Sequence, residues 1–269
     1  MLKQRLITAI ILIPIFVLLV LKLPTNAFNV LTFIFVLLGA WEWSTLMEVK
    51  STLKKLIYPA ILLFVLPASV YLRIFPLLIV TAVWWVSTLL LMAGFPENSE
   101  RFGKGVFVRS LMGLFVLVPC WRAINFIRAE YGPMVLLFLF VLIWGADSGA
   151  YFAGKKWGKR KLAPSISPGK TWEGLSGALM TTFFIVIFVF FFAKTPTRFW
   201  SAILLLSFIT VIFSVIGDLF ESLLKRKAGV KDSGVLVPGH GGVLDRIDSL
   251  TAAAPIFALG AILIGKIFY

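Results

Sequence analysis

The sequence predicts an all-α membrane protein in which about nine helices cross the bilayer. Of its 269 residues, 60% are hydrophobic and only 14% are charged, whereas soluble globular chains carry about 25% charged residues. Apolar runs recur from one end of the chain to the other, each with the length of about twenty residues that a helix needs to cross a hydrocarbon core. The basic residues collect on alternate connections, as the positive-inside rule requires.

Turn-forming residues divide the chain into the predicted spans. The breaks are Pro24, the Asn98-Ser99 pair, Pro133 and Pro196. The predicted spans cover about 3–22, 25–46, 56–72, 74–94, 106–125, 133–153, 172–193, 198–223 and 243–268. The first span follows Lys3 and Arg5 as a signal peptide would, but no small-residue cleavage site comes after it, so we expect a retained helix.

Two regions follow from this division. Residues 1–100 are predicted to form N-terminal transmembrane helices, and residues 101–269 a C-terminal transmembrane catalytic region. The second region carries two long cytoplasmic loops, 154–171 and 224–242. Cys120 is the only cysteine, which excludes an internal disulfide.

The formal charge of +14 has a simple explanation in a membrane protein. Binding to nucleic acid is one reading of a basic chain, but an excess of Lys and Arg in cytoplasmic loops accounts for it, so we expect no nucleic-acid partner. A cytoplasmic N-terminus puts most of the basic residues inside. Those left outside are Lys22, Arg73, Arg122, Arg128, Lys194, Arg198 and Lys266. The prediction is therefore N-in, C-out, in the inner (cytoplasmic) membrane of a cell.

Acidic residues concentrate before the last span. Asp218 lies within or at the end of a span, where a carboxylate is costly unless it faces a polar cavity, a cation or a partner. Glu221, Ser222 and Lys225 follow at i+3, i+4 and i+7, so that all four residues share one helical face. The alternative is a helix end that simply meets water.

Asp245 and Asp248 are three residues apart, and Ser249 lies four after Asp245. On a helix their oxygens converge, which suits Mg²⁺ because that ion takes hard oxygen ligands and keeps waters or substrate phosphates. The alternative is a surface pairing with Arg246. That pairing would be ordinary in a soluble protein but is less expected at the mouth of a membrane helix.

A glycine-rich turn, residues 238–242, precedes these acids. Its backbone N–H groups can approach an anion without obstruction by Cβ atoms, and it places a helix N-terminus nearby. The signal is weak by itself, since loops use glycine in any case. His240, the only histidine, is a candidate for a phosphate or base contact, with a structural role equally open.

The other long loop ends in SPGKTWEG, residues 167–174. It is not a P-loop, because the first glycine of that motif would fall at Pro164. Lys170 and Thr171 remain as candidate phosphate contacts at a helix start. Ordinary capping explains Thr171 and Glu173 well but explains Lys170 poorly.

The preceding span contains WGADSGAYFAG, residues 144–154. Its small residues let helices approach closely, but close packing does not require Asp147, which we expect to join the polar cavity. Acids suited to Mg²⁺ and bases suited to phosphates, set in a membrane, indicate phosphoryl chemistry on a lipid.

The stretch from Ser214 to Pro255 resembles the signature of the CDP-diacylglycerol synthase family, also called phosphatidate cytidylyltransferases. The residues that carry this resemblance are Ser222, Lys225, Arg226, Lys227, Lys231-Asp232, Pro238 to Gly242 and Asp245-Arg246-x-Asp248-Ser249. Residues 167–174 match the family's shorter motif, with Gly169 where a lysine is common. The rest of the chain is similar only in its pattern of spans.

The resemblance implies a reaction in which CTP and phosphatidate give CDP-diacylglycerol and pyrophosphate. It implies Mg²⁺ and a polytopic homodimer in the lipid bilayer. The catalytic residues expected on this basis are Asp218, Lys225, Asp245 and Asp248. Asp245 and Asp248 are the expected metal ligands, and Asp218 is a third ligand or the holder of a second cation. The expected substrate-binding residues are Lys170, Thr171, Ser222, Arg226, Lys227, Lys231, His240 and Arg246.

Two other functions are compatible with buried acids in a membrane protein. A transporter of an anionic solute would use them to couple protons or sodium, but such proteins often show paired, interrupted helices in two halves, and no internal repeat is present. Another lipid phosphotransferase, of the CDP-alcohol type, is a nearer alternative, but its D-G-x-x-A-R motif is absent.

Overall fold

The computed structural model describes residues 13–95, 103–234 and 241–268, and within them the chain is an all-α membrane protein, as predicted. Eight helices of the described part are long and apolar enough to cross a membrane, and a shorter apolar helix precedes them. The helices are α1 (Ile13–Lys22, the described part), α2 (Thr25–Leu46), α3 (Thr52–Lys55), α4 (Ile57–Ser69), α5 (Ile74–Ala93), α6 (Val106–Tyr131), α7 (Pro133–Trp157), α8 (Trp172–Phe192), α9 (Trp200–Lys227) and α10 (Leu244–Phe268).

The outer surface along the sides of the helix bundle is apolar. On α8, for example, Phe184, Phe188 and Phe192 are exposed, although they belong to an apolar span. Side chains of this kind are expected to face lipid. The two larger clusters of buried side chains include Trp43, Trp85 and Phe220 in one case and Leu136, Ile127 and Phe257 in the other.

Helix α9 continues beyond the predicted span and ends at Lys227. Its last turns, ESLLKRK, consist mostly of good helix formers, so the helix carries its three basic residues out of the apolar region. The predicted span 56–72 corresponds to α4, and the short helix α3 directly before it belongs to the same candidate membrane span, Thr52–Ser69.

The loop between α7 and α8 contains a small hairpin that the sequence analysis did not predict. Strands β1 (Lys161–Ala163) and β2 (Ser167–Thr171) pair antiparallel, with Lys161 opposite Thr171 and Ala163 opposite Ser167. The Glu173 carboxylate accepts hydrogen bonds from the backbone N–H groups of Lys159 and Arg160. These bonds hold the hairpin over the start of α8 and keep Lys170 close to the bundle.

Helices α7 and α8 approach each other closely, as the small residues of 144–154 predict. A Cβ atom on Gly149 would overlap the Thr181 hydroxyl and lie 2.7 Å from the Gly177 carbonyl oxygen. A Cβ atom on Gly177 would meet Ala153. The close contact between these two helices therefore depends on glycine, which has no side chain, at both positions.

Candidate active site

Charged side chains from five elements meet at one end of the bundle. The contributing elements are the end of α2, α7, the hairpin, the last turns of α9 and the first turns of α10. Gly217 makes part of this meeting possible, because a Cβ atom there would lie 2.5 Å from the Asp248 carbonyl oxygen and 3.2 Å from Ala252. Helix α9 thus runs directly against α10 next to Asp218.

Lys170 and Asp218 join the two motifs that the sequence analysis singled out. The Lys170 ammonium is 2.6 Å from Asp218 Oδ2, and both side chains are less than one-third exposed. The Ser222 hydroxyl donates to Asp218 Oδ1 over 3.2 Å. Asp218 on α9 thereby holds Lys170 of the hairpin against this helix, although Lys170 and Asp218 are 48 positions apart in sequence.

Asp147 and Asp248 belong to the same group of charges. The Asp147 carboxylate on α7 interacts electrostatically with Asp218 and Lys170, so it joins the polar cluster as expected. The Asp248 carboxylate on α10 interacts with Asp218 and with both Lys170 and Lys225. Its Oδ1 accepts a hydrogen bond of 2.6 Å from the Ser249 N–H.

Lys225 and Asp245 form a second ion pair beside the first. The Lys225 ammonium is 2.6 Å from Asp245 Oδ1 and 3.2 Å from Glu221 Oε1. Asp245 Oδ2 accepts from the Ser233 N–H, the Ser233 hydroxyl and the Gly242 N–H, at 2.9, 3.0 and 2.8 Å. The Asp245 carboxylate therefore anchors Lys225 and also orders the loop before α10.

The three consecutive basic residues at the end of α9 point in different directions, since neighbours on a helix are about 100° apart. Lys225 contacts Asp245. The exposed Arg226 donates from Nε to the Ile166 carbonyl oxygen at 3.4 Å. Lys227 interacts electrostatically with Glu48 and Arg109. Lys225 and Arg226 therefore border the Asp218–Asp248 region and the hairpin, whereas Lys227 lies beside a different charged group.

The remaining predicted residues are placed less centrally. Thr171 is buried, and its hydroxyl oxygen accepts from the Gly174 N–H as the N-cap of α8, a contact that favours the capping reading. Lys231 and Arg246 are exposed. His240 lies outside the described residues. Substrate binding by these four residues stays a prediction.

Glu42 is a site residue that the sequence analysis missed. It lies on α2, its side chain is buried, and it accepts hydrogen bonds from residues at the start of α10. An acid near the end of an apolar span is itself a signal of function or of a buried partner, and the same criterion that singled out Asp218 applies to Glu42.

The donor chemistry at this end of the bundle suits Mg²⁺, which is bound in proteins by one or two carboxylates together with substrate phosphates and waters. Asp218 and Asp248 supply two such carboxylates, and their charges interact. Among the described residues, no three His, Cys, Asp or Glu side chains form a complete metal-binding group. A metal here would therefore need ligands from phosphate or water as well as from the protein.

Comparison with known proteins identifies similar chains. Residues 3–263 match the cytidylyltransferase family. The chain is similar to the phosphatidate cytidylyltransferase of Haemophilus influenzae, with 42% identity over 282 aligned positions that cover 96% of this chain and 98% of that protein. It is also similar to the phosphatidate cytidylyltransferase of Pseudomonas aeruginosa, with 41% identity over 261 positions that cover 96% of each chain.

Proposed function

The chain belongs to the cytidylyltransferase family, and we infer that it is an integral-membrane phosphatidate cytidylyltransferase. It converts CTP and phosphatidate to CDP-diacylglycerol and pyrophosphate, a step of phospholipid biosynthesis. The observation that carries this conclusion is the similarity to enzymes of that name over 96% of the chain. The family membership favours this function over the two alternatives, a transporter and another lipid phosphotransferase.

The reaction requires a nucleophile that the lipid itself supplies. A phosphate oxygen of phosphatidate attacks the α-phosphorus of CTP, a new P–O bond forms, and the bond to the bridging oxygen breaks as pyrophosphate leaves. A phosphomonoester has a second pKa of about 6, so it is largely ionised near neutral pH. The protein therefore needs no dedicated general base, and its task is to position the two substrates and to neutralise charge.

We propose that Lys170 and Lys225 bind the phosphates of the reacting groups. Each ammonium already lies 2.6 Å from a carboxylate, Asp218 and Asp245 respectively, so each is held in a defined place before substrate arrives. An ion-paired lysine of this kind keeps donors for a phosphate, since an ammonium has three N–H bonds. Arg226, at the edge of the hairpin, is proposed to hold a phosphate through the planar fork of its guanidinium.

We propose that Asp218 and Asp248 would hold Mg²⁺, which would neutralise phosphate charge in the transition state. The support is the electrostatic proximity of the two carboxylates and the small number of protein ligands that Mg²⁺ needs. Ligation by Asp245 stays a prediction that its contacts do not favour, because three protein donors converge on Oδ2 and the Lys225 ammonium on Oδ1. Asp218, by contrast, has one protein donor at each oxygen. Occupation by a second cation also stays a prediction.

The proposed location is the inner membrane of a bacterial cell, because the similar enzymes named above come from bacteria. The site is proposed to face the cytoplasm, where CTP is available. Assembly as a homodimer stays an expectation from the family resemblance.

The test is an assay of the purified full chain with labelled CTP and phosphatidate. We expect label in CDP-diacylglycerol and release of pyrophosphate only when both substrates are present.

Asp218→Asn and Asp248→Asn should each lower turnover by about a hundredfold or more and should raise the Mg²⁺ concentration that gives half-maximal activity. Glu130→Gln, a change at the opposite end of the bundle, is the control and should behave as the wild type.

Asp245→Asn separates the two roles of the acids on α10. If Asp245 only anchors Lys225, this change lowers turnover and leaves the Mg²⁺ dependence as in the wild type. A shift in the Mg²⁺ dependence as large as that of Asp248→Asn would instead establish Asp245 as a ligand. Absence of CDP-diacylglycerol synthesis by the wild-type protein would refute the proposed function itself.

A further inference from the structure

Glu42 is a carboxylate in the interior of the bundle. It lies on α2, a helix long and apolar enough to span the membrane, and only 1% of its surface is exposed. A carboxylate that is removed from water at such a place is costly unless several donors satisfy it. The identity of those donors indicates what the side chain does.

The donors are the first backbone amides of α10 and a nearby hydroxyl. Glu42 Oε1 accepts from the Val243 N–H at 2.9 Å, and Oε2 accepts from the Leu244 N–H at 2.7 Å and from the Ser233 hydroxyl at 3.2 Å. The first N–H groups of a helix have no partner within the helix, and a negative charge there is favoured by the helix dipole. Glu42 therefore caps α10 from a different helix.

Two glycines make room for this carboxylate. A Cβ atom on Gly234 would lie 2.6 Å from Glu42 Cδ, and one on Gly242 would lie 2.7 Å from the same atom. The backbone on both sides of the loop thus closes around Glu42. The contact fixes the two ends of the loop against α2.

The same loop residues also bind Asp245. The Ser233 hydroxyl is within hydrogen-bond distance of both carboxylates, 3.2 Å from Glu42 Oε2 and 3.0 Å from Asp245 Oδ2. Asp245 in turn pairs with Lys225. A displacement of the first turn of α10 would therefore move Asp245 and, with it, the Lys225 ammonium.

We propose that Glu42 is a positioning residue for the transfer reaction: it fixes the first turn of α10 and thereby the orientation of the Asp245–Lys225 pair. The effect on catalysis rests on the function proposed above, whereas the effect on the loop does not. Glu42 acts through Ser233, Val243 and Leu244.

The first test is Glu42→Gln, which keeps the shape of the side chain but removes its charge. The amide NH₂ group of the new side chain cannot accept a hydrogen bond, so at least one of the contacts with the backbone N–H groups is lost. We expect the kcat to fall about tenfold or more, as when a supporting contact of an active site is lost. The KM values for CTP and phosphatidate should stay within about twofold of the wild type. Glu42→Asp keeps the charge on a shorter side chain and should recover part of the lost kcat.

The second test measures the contact itself, by hydrogen exchange of the full chain in detergent. The amides of Val243 and Leu244 should exchange faster in Glu42→Gln than in the wild type. Ser44→Ala is the matched control, because Ser44 is equally buried on α2 and its hydroxyl bonds to the Ala40 and Lys55 carbonyls. It should change neither the exchange of those amides nor the kcat, even where it lowers the temperature of unfolding.

Each other outcome overturns the proposal. Unchanged exchange at Val243 and Leu244 would show that Glu42 does not hold the loop, whatever the enzyme's activity. Faster exchange with a wild-type kcat would show that the loop does not position the reacting groups. An equal loss of kcat in Ser44→Ala would make the effect of Glu42 a general loss of stability. A wild-type protein without transferase activity would refute the proposed function, and the exchange result would still decide the contact.

Discussion

At the scale of single residues, the site consists of bases held by acids. Lys170 contacts Asp218 on α9, and Lys225 contacts Asp245 on α10. Fixing these long side chains in advance removes part of the entropy that binding would otherwise cost. In the proposed mechanism, these ion pairs place the two ammonium groups where the phosphates of both substrates meet.

Arg226 is expected to bind a substrate phosphate in the ground state. Its Nε donates to the Ile166 carbonyl oxygen, which leaves the side chain at the edge of the hairpin, and its fork can engage a phosphate with two hydrogen bonds where lysine offers a point charge. We predict that Arg226→Lys raises the KM for CTP or phosphatidate several-fold, a change of about 1 kcal/mol or more. Steady-state kinetics with each substrate varied in turn measures this.

The control for this prediction is Arg198→Lys, because Arg198 lies just before the first residue of α9, at the end opposite to Arg226, and stacks on Phe199. It should leave both KM values unchanged. Wild-type kinetics in Arg226→Lys and also in Arg226→Ala would mean that Arg226 binds no substrate and contributes only to the excess of positive charge on the cytoplasmic side.

At the scale of elements, close contact between helices is what brings the charges together. Gly217 lets α9 touch the backbone of α10 beside Asp248, and Gly149 and Gly177 do the same for α7 and α8. In a bilayer, helix association depends on packing and on hydrogen bonds more than on burial of apolar surface. Added methyl groups at these seams should therefore cost stability directly.

Gly149→Ala tests the seam between α7 and α8. The new methyl group would overlap the Thr181 hydroxyl, and overpacking of this kind costs about 1–3 kcal/mol. We predict a lower free energy of unfolding, measured by denaturation in detergent or bicelles. Gly169→Ala is the control, because a Cβ atom there meets nothing within 4 Å, and it should unfold as the wild type does. Equal stability of the two variants would contradict the role of the seam.

At the scale of the whole molecule, the charged cluster occupies one end of an apolar bundle. The end of α2, the hairpin, the end of α9 and the start of α10 all contribute to it. In the proposed reaction, the lipid phosphate would approach this end from the bilayer and the soluble nucleotide from the water. The arrangement thus suits a reaction between a substrate that stays in the membrane and one that does not.

Membrane orientation is a prediction at this scale. The basic residues favour the hairpin side as cytoplasmic. We expect Thr197→Cys, in the connection between α8 and α9, to react with an impermeant thiol reagent on intact cells, in a protein with Cys120→Ala. Lys159→Cys, in the connection between α7 and the hairpin, should react only after the membrane is opened. The reverse pattern would contradict the predicted orientation.

The sequence by itself determined the class of the protein and the face of α9 that carries Asp218 and Ser222. Apolar runs of membrane-spanning length predict the helices, because a span must satisfy its backbone internally. The helical period likewise predicts that Asp218 and Ser222 share a face, as their 3.2 Å hydrogen bond confirms. These features depend on residues close in sequence.

Only the tertiary structure decided which distant residues meet. Spacing along the chain does not show that Lys170 pairs with Asp218, that Lys225 pairs with Asp245, or that Lys227 lies beside Glu48 and Arg109. It shows still less that Glu42 caps a helix that begins about two hundred residues later. Such contacts depend on how the helices pack and on where glycines let backbones approach, and a carboxylate is satisfied by whichever donors that packing delivers.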